Sequence, residues 1–249
     1  MGQTRSLAAA QTIPVRGDVD ANVERHTRLV CVAAELDAQI LVFPELSLTG
    51  YELDLADDLA FSEEDARLDP LVEMASAHRM TLVVGAPVRT GAGLHIGAFI
   101  VSPGGGVELY TKQHLGTGEE NLQPGDRNPL VQLGRGPAAV AVCADANHAS
   151  HPKDAAARGA SSYLVSTFIA PTDLEKKTAS LSGYAARHSM VVVFANYGGP
   201  SGGLASGGAS AIWSESGELL AQLDGIGAGV VAAAQSDGSW SATTTMFQG

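Results

Sequence analysis

Val140-Ala141-Val142-Cys143-Ala144-Asp145 is the stretch on which the reading of the chain turns. Its small apolar residues form a short run bounded by turn residues, the pattern of a buried central strand. The run stops at a cysteine; Asn147, Ser150 and Pro152 follow, and then an alanine-rich stretch of helical character. At a strand-to-helix junction the backbone N–H groups of the next turn point at what the strand delivers, so a cysteine there is placed as a nucleophile would be. Taken alone, the stretch favours an inert buried thiol instead, because free cysteine is among the most buried residue types and reactive thiols need a polar surrounding.

Upstream, Ser6 to Ile13 reads as a first strand, Asp18 to Asp37 as a helix capped by Asp20, and Ile40 to Phe43 as a short buried strand ending at Pro44. An apolar stripe through Val23, Leu29, Val30, Ala33 and Leu36 gives that helix a core-facing side and packs Cys31 with it. Ser62 to Met80 is expected to be a second helix opening on acidic residues, followed by a strand over Thr81 to Val88. A hairpin turns across Pro103-Gly104-Gly105, and strands at 130–133 and 138–142 lead into Cys143. Beyond it, a short helix is expected over 154–159, a strand over 161–166, a helix capped by Asp173 over 173–189 and a strand over 190–195. Strands at 209–213, 219–223 and 229–234 complete the sheet. The glycine-rich segment Tyr197 to Gly208 reads as a mobile loop, and the polar tail from Ser236 as loose chain. Helices and strands that alternate early, with hairpins later, make an α/β domain with a mixed, layered sheet, and the whole chain, 1–249, reads as one domain.

Composition bounds the function. The 249 residues carry 45% hydrophobic and 17% charged side chains, enough for a full core. A net charge of −12 repels phosphate backbones and anionic membranes, and 5% aromatic content offers little for base stacking, so nucleic-acid and membrane partners are not expected. No apolar run approaches the ~20 residues that cross a bilayer. Met1 to Ala10 lacks the pattern of a signal peptide, which makes the cytoplasm the default location. Two cysteines, Cys31 and Cys143, give no disulfide framework.

Three strand ends carry the chemistry. Leu41-Val42-Phe43-Pro44-Glu45-Leu46 puts a carboxylate just past a buried strand, where partial burial would raise its pKa towards that of a general base. Leu109-Tyr110-Thr111-Lys112-Gln113-His114-Leu115 runs out into a loop with a lysine able to stabilise an oxyanion or favour a thiolate. The third end is Cys143. In isolation Glu45 reads as a solvated loop glutamate and Lys112 as a surface lysine. Together the three suffice for attack on an amide-like carbon.

These stretches resemble the three ordered motifs of the carbon–nitrogen hydrolase (nitrilase) superfamily: Pro44-Glu45-Leu46 with Thr49-Gly50-Tyr51, Tyr110-x-Lys112-x-His114-Leu115, and Cys143-x-Asp145. The likeness extends to Ala10-Gln11, Asn22, Pro124-Gly125-Asp126, Ala195-Asn196 and Gly208-Ala209-Ser210, and so to nearly the whole chain. It implies an αββα sandwich with mixed sheets, Glu45 as general base, Lys112 as oxyanion stabiliser and Cys143 as nucleophile. A second glutamate is implied in the loop after the lysine, for which Glu119 is the choice and Glu120 the runner-up. Also implied are a homodimer paired through helices near the nucleophile and no metal or organic cofactor. The chain departs from the family at Ala144, where an aromatic residue is frequent, at 147–153, where an arginine is common, and at 184–188.

Tyr51, His114, Ala144, Thr167 and Phe168 follow strand ends and are the candidates for lining a pocket, with packing as the equal alternative. His148 and His151, three apart, suggest a metal site with Asp145 or Asp154, but no third ligand cluster supports it. The glycine-rich segment lacks the context of a dinucleotide loop and suits close backbone approach. The expected activity is hydrolysis of a small non-peptide amide or carbamoyl amide through a thioester. The alternatives are a nitrilase acting on a small-molecule nitrile, and a non-catalytic binding or scaffold protein; an acyltransferase ranks below both.

Overall fold

The computed structural model describes residues 5–247; Met1 to Thr4, which open the stretch read for a leader, and Gln248 and Gly249 lie outside it. The first strand, β1 (Arg5–Gln11), is buried along its whole length, and the helix α1 (Val19–Glu35) follows. Asp18, not Asp20, caps this helix, its carboxylate accepting the Ala21 N–H at 3.0 Å. Cys31 faces solvent rather than the core, since the buried stripe runs through Val23, Leu29, Val30 and Ala33. After β2 (Ile40–Val42) the expected long helix shrinks to α2 (Asp69–His78). The acidic segment ahead of it is held outside the helix by Asp65, which accepts the Ser62 and Arg67 N–H groups, and Pro70 opens the first turn.

Strands β3 (Thr81–Thr90), β4 (Gly93–Val101) and β5 (Val107–Thr111) form a meander. The pair β6 (Leu130–Val131) and β7 (Ala138–Val142) leads through a 3-10 turn at Cys143–Asn147 to α3 (Ser150–Ala157), which begins four residues earlier than expected. Then come β8 (Ser162–Ser166), α4 (Leu174–His188), β9 (Val191–Ala195), β10 (Ala211–Trp213), β11 (Leu219–Gln222) and β12 (Gly229–Ser236). Asp173 precedes α4 but makes no side-chain cap. The tail from Ser236 is not loose: it reverses at Asp237-Gly238, both at positive φ, and returns as β13 (Ser239–Met246), paired antiparallel with β12. Asp-Gly favours such a hairpin turn, and Thr243 to Thr245 suit an edge strand with solvated side chains.

The strands make two mixed sheets, ordered β13-β12-β1-β2-β3-β4-β5 and β11-β10-β9-β8-β7-β6. Helices α1 and α2 cover the outer face of the first, with Val30, Leu71 and Phe99 in that layer, and α3 and α4 cover the second around Leu181, Tyr163 and Phe194. Between the sheets lies a third core, holding Ile40, Val83, Val140 and Leu164. This is the expected α/β layered sandwich. Within each sheet three neighbours run parallel, β1-β2-β3 and β7-β8-β9. Parallel strands deliver their carboxyl ends to one edge, where α/β proteins collect functional groups.

Candidate active site

That edge is stitched across the two sheets. Ser166, closing β8, donates its hydroxyl to the Phe43 carbonyl at 2.8 Å, and Tyr197, past β9, donates to the Glu45 carbonyl at 2.6 Å. Glu45 leaves β2 on a turn in which Leu46 has a φ of 52°. Gly85 on β3 makes room for it, since a Cβ there would stand 2.4 Å from the Leu46 nitrogen. Lys112 leaves β5 beside it, and its ammonium donates to Glu45 Oε1 at 2.6 Å and to Glu119 Oε1 at 2.7 Å. All three side chains are almost wholly buried. Glu119 also accepts the Tyr51 hydroxyl at 2.7 Å and the Gly116 N–H at 2.6 Å. Glu120 is exposed and accepts the Gly118 N–H instead.

Cys143 stands at the end of β7 with a φ of 43°, the left-handed region that side chains other than glycine seldom adopt and that is retained mostly where a site demands it. Its thiol faces the Phe168 carbonyl at 3.9 Å. With Ala144, Tyr51, Glu119, Phe168 and Asn147 it lines a cavity of about 610 Å³. Asp145 fastens this turn to the lysine loop: Oδ1 accepts the Gln113 and His114 N–H groups at 3.1 and 2.8 Å, and Oδ2 accepts the Val142 N–H at 3.0 Å and the Tyr110 hydroxyl at 2.6 Å. One aspartate thus holds the cysteine turn and the lysine loop in register.

Burial sets the electrostatics. Desolvation pushes the Glu45 carboxyl up to about 7 even though Lys112 pulls it down, and the Cys143 side chain is among the groups acting on it. Glu45 Oε2 is buried and has no hydrogen-bond partner among the described residues. Burial and the neighbouring Glu45 push the Cys143 thiol up to about 12, so at neutral pH it rests protonated. Desolvation opposes the charge on Lys112, but Glu45, Cys143 and Glu119 outweigh it and keep the lysine an ammonium.

The structure brings Glu45, Lys112, Glu119 and Cys143 together, with Tyr51, Ala144 and Phe168 on the cavity wall. Phe168 packs on Tyr51 with ring centroids 5.1 Å apart. Two other candidates stand apart from it. Thr167 is fully buried and donates to the Ala195 carbonyl at 2.9 Å, and His114 sits 3.0 Å from Asp145 and stacks on His148 at 3.9 Å. Neither is a lining residue of the cavity. His151 is buried between the Tyr110 and Tyr163 hydroxyls, and among the described residues no group of three His, Cys, Asp or Glu could hold a metal ion. Sequence reasoning missed the segment 169–173 on the cavity wall and Lys177 behind the cysteine; a single lysine in a helix carries no local signal of burial. The glycine-rich segment has buried flanks: a Cβ on Gly198 or Gly208 would stand 1.9 Å from the Gly227 or Gly225 carbonyl oxygen, and its exposed residues are Pro200 and those at 202–205.

A helix-covered pair of mixed sheets thus gathers a thiol, an ammonium and two carboxylates at one edge. The chain belongs to the carbon-nitrogen hydrolase family, whose sequence model matches residues 6–243. It is similar to a nitrilase-superfamily amidase from Nesterenkonia sp. AN1. In complex with acrylamide, a double mutant of that amidase superposes with a TM-score of 0.86 at 26% identity, covering 95% of this chain and 92% of that one. In a further structure of it, with a TM-score of 0.85 and 27% identity over 94% of this chain and 91% of that one, the active-site cysteine carries the acetamide moiety of fluoroacetamide. A glutamine-dependent NAD(+) synthetase from Thermotoga maritima is 25% identical over 227 residues, which is 86% of this chain but 39% of that protein, so the chain spans well under half of this relative. A nitrilase from Pyrococcus abyssi is 29% identical over 148 residues, 56% of this chain and 55% of that protein. No helix among the described residues is long and apolar enough to cross a membrane.

Proposed function

We propose that this enzyme hydrolyses a small non-peptide amide, releasing ammonia, with Cys143 as nucleophile, Glu45 as general base, Lys112 as oxyanion stabiliser and Glu119 as the second carboxylate orienting the lysine. The observation that carries the reading is the Lys112 ammonium held between Glu45 and Glu119 at 2.6 and 2.7 Å, beside the cavity that Cys143 lines. Because the thiol rests protonated and Glu45 titrates at about 7, the proton leaves sulfur for Glu45 as the S–C bond forms. The amide π pair moves onto oxygen, towards Lys112. When the tetrahedral intermediate collapses, the C–N bond breaks and Glu45 returns the proton to the leaving nitrogen as ammonia. Water, deprotonated by Glu45, then attacks the thioester; the acid leaves and the thiol recovers its proton.

An amide is preferred because the amidase from Nesterenkonia sp. AN1 is matched over almost its full length, whereas the nitrilase match covers about half of each chain. The likeness to a glutamine-dependent synthetase adds glutamine to the candidate amides. Pairing into a homodimer through the helices near Cys143 and a cytoplasmic location belong to the same proposal. The test is ammonia release from a panel of aliphatic amides, glutamine, N-carbamoyl compounds and nitriles, with Cys143→Ala beside the parent. Turnover of amides that Cys143→Ala abolishes supports the reading; ammonia from nitriles alone replaces it with the nitrilase assignment.

A further inference from the structure

Lys177, on α4, is a lysine buried to 7% exposure that makes no ion pair with a carboxylate among the described residues. Lysines are almost never buried unless paired. Its ammonium donates to the backbone carbonyl of Cys143 at 3.4 Å and to Asn147 Oδ1. Both acceptors belong to the 3-10 turn that begins at Cys143, and Asn147 lines the cavity with Cys143 and Ala144. The gripped carbonyl is half of the Cys143–Ala144 peptide. The other half is the Ala144 N–H, an opening-turn donor that the turn itself leaves without a partner. A cation on the carbonyl end of a peptide draws electron density from the N–H end and strengthens it as a donor. It also pins a peptide that follows a residue at a φ of 43°.

We propose that Lys177 is a positioning residue for the oxyanion: by holding the Cys143 carbonyl it orients and polarises the Cys143–Ala144 peptide, so that the Ala144 N–H meets the developing oxyanion together with the Lys112 ammonium. This rests on Cys143 being the nucleophile. Burial lowers the Lys177 pKa, while Cys143 and Glu45 act to raise it, and Lys177 in turn lowers that of the thiol; the lysine feels the same site from behind.

The test separates oxyanion binding from simple support of the thiol. Butyraldehyde adds reversibly to a site thiol: sulfur bonds to the carbonyl carbon, the π pair becomes an oxyanion in the same hole, and the thiol proton ends on that oxygen. Iodoacetamide forms an S–C bond with loss of iodide and creates no oxyanion. Lys177→Met should weaken butyraldehyde binding and lower kcat for butyramide about 10- to 100-fold, somewhat less than removal of a direct oxyanion donor. KM should stay near that of the parent; Cys143 alkylation, which feels the lost charge only through the thiol, should slow by less than aldehyde affinity falls, and Lys177→Arg should recover part of the loss. Alkylation that falls in step with aldehyde affinity overturns the proposal, because Lys177 then only holds the thiol. Unchanged aldehyde affinity and kcat overturn it as well. If Lys177→Met does not fold, Lys177→Gln, neutral but still a donor, is read by the same measurements and should fall short of the parent in aldehyde binding and kcat by more than in alkylation. A parent protein that turns over no amide but binds the aldehyde refutes the amidase reading and leaves the role of Lys177 decided by the variants. A parent that does neither removes Cys143 as nucleophile, and this proposal with it.

Discussion

Replacing Glu45 by glutamine keeps the shape of the side chain and removes its proton chemistry. Lys112 retains Glu119 at 2.7 Å, so the ammonium keeps a carboxylate partner. Two effects follow from the carboxyl being pushed up to about 7. In the parent, kcat/KM should rise tenfold per pH unit below about 7 and level off above it; in Glu45→Gln that limb should vanish, with kcat down about 10²- to 10⁴-fold for loss of a general base, or roughly 3–5 kcal/mol. The second effect is on stability. A carboxyl whose folded pKa lies above its unfolded value of 4.5 contributes stability that is full below pH 4.5 and is lost as pH rises through 7. The gap of 2.5 units corresponds to about 3 kcal/mol at ~1.36 kcal/mol per unit. The glutamine variant should therefore gain on the parent by about that amount between pH 4.5 and 8. Ammonia release against pH, with urea denaturation at both ends of the window, measures both. A variant that keeps the acid limb, or a stability difference that does not move with pH, would refute the assignment of Glu45 as a buried carboxylate acting as base.

Lys112→Met leaves Glu45 and Glu119 buried together without their cation, and should destabilise the fold by about 3–5 kcal/mol at neutral pH. The deficit should shrink as acid protonates the carboxylates; a pH-independent deficit in thermal melts would mean the loss is one of packing. Gly85→Ala drives a Cβ into the backbone of the Glu45 turn and should cost about 1–3 kcal/mol, with reduced turnover, by denaturation and activity assays. Asp145→Asn puts amide protons against some of the donors that Asp145 now accepts, and should cost about 1–3 kcal/mol. Hydrogen exchange at Gln113 and His114 should accelerate with it, and unchanged protection there would sink the bracing role.

The local periods of the chain were enough to find its buried strands, because a run such as Val140 to Val142 or Ile40 to Val42 is visible within a few residues. They also found α1, whose apolar stripe repeats at the helical period. Where a single side chain moved a boundary, the pattern misled. Asp65 bound the backbone ahead of α2 and Asp18 took the cap expected of Asp20, each a hydrogen-bond choice that propensity does not rank. The strand β13 was hidden by its polarity, since an edge strand buries little, although Asp237-Gly238 marked its turn. The chemical types at three strand ends were likewise legible, and their order resembled one family.

Their meeting was not legible, because Glu45, Lys112 and Cys143 lie on elements from two sheets whose packing no local window contains. The packed sheets put Glu119, already the choice over Glu120 from the family resemblance, in contact with the lysine, and they alone buried Thr167 in the framework, turned Asp145 into the clamp between loops, and brought Lys177 behind the cysteine. The amino-acid order determined which groups were available and on which strand ends. Tertiary structure decided which of them share a desolvated space, and that sharing moves the Glu45 carboxyl to where a base at neutral pH must titrate.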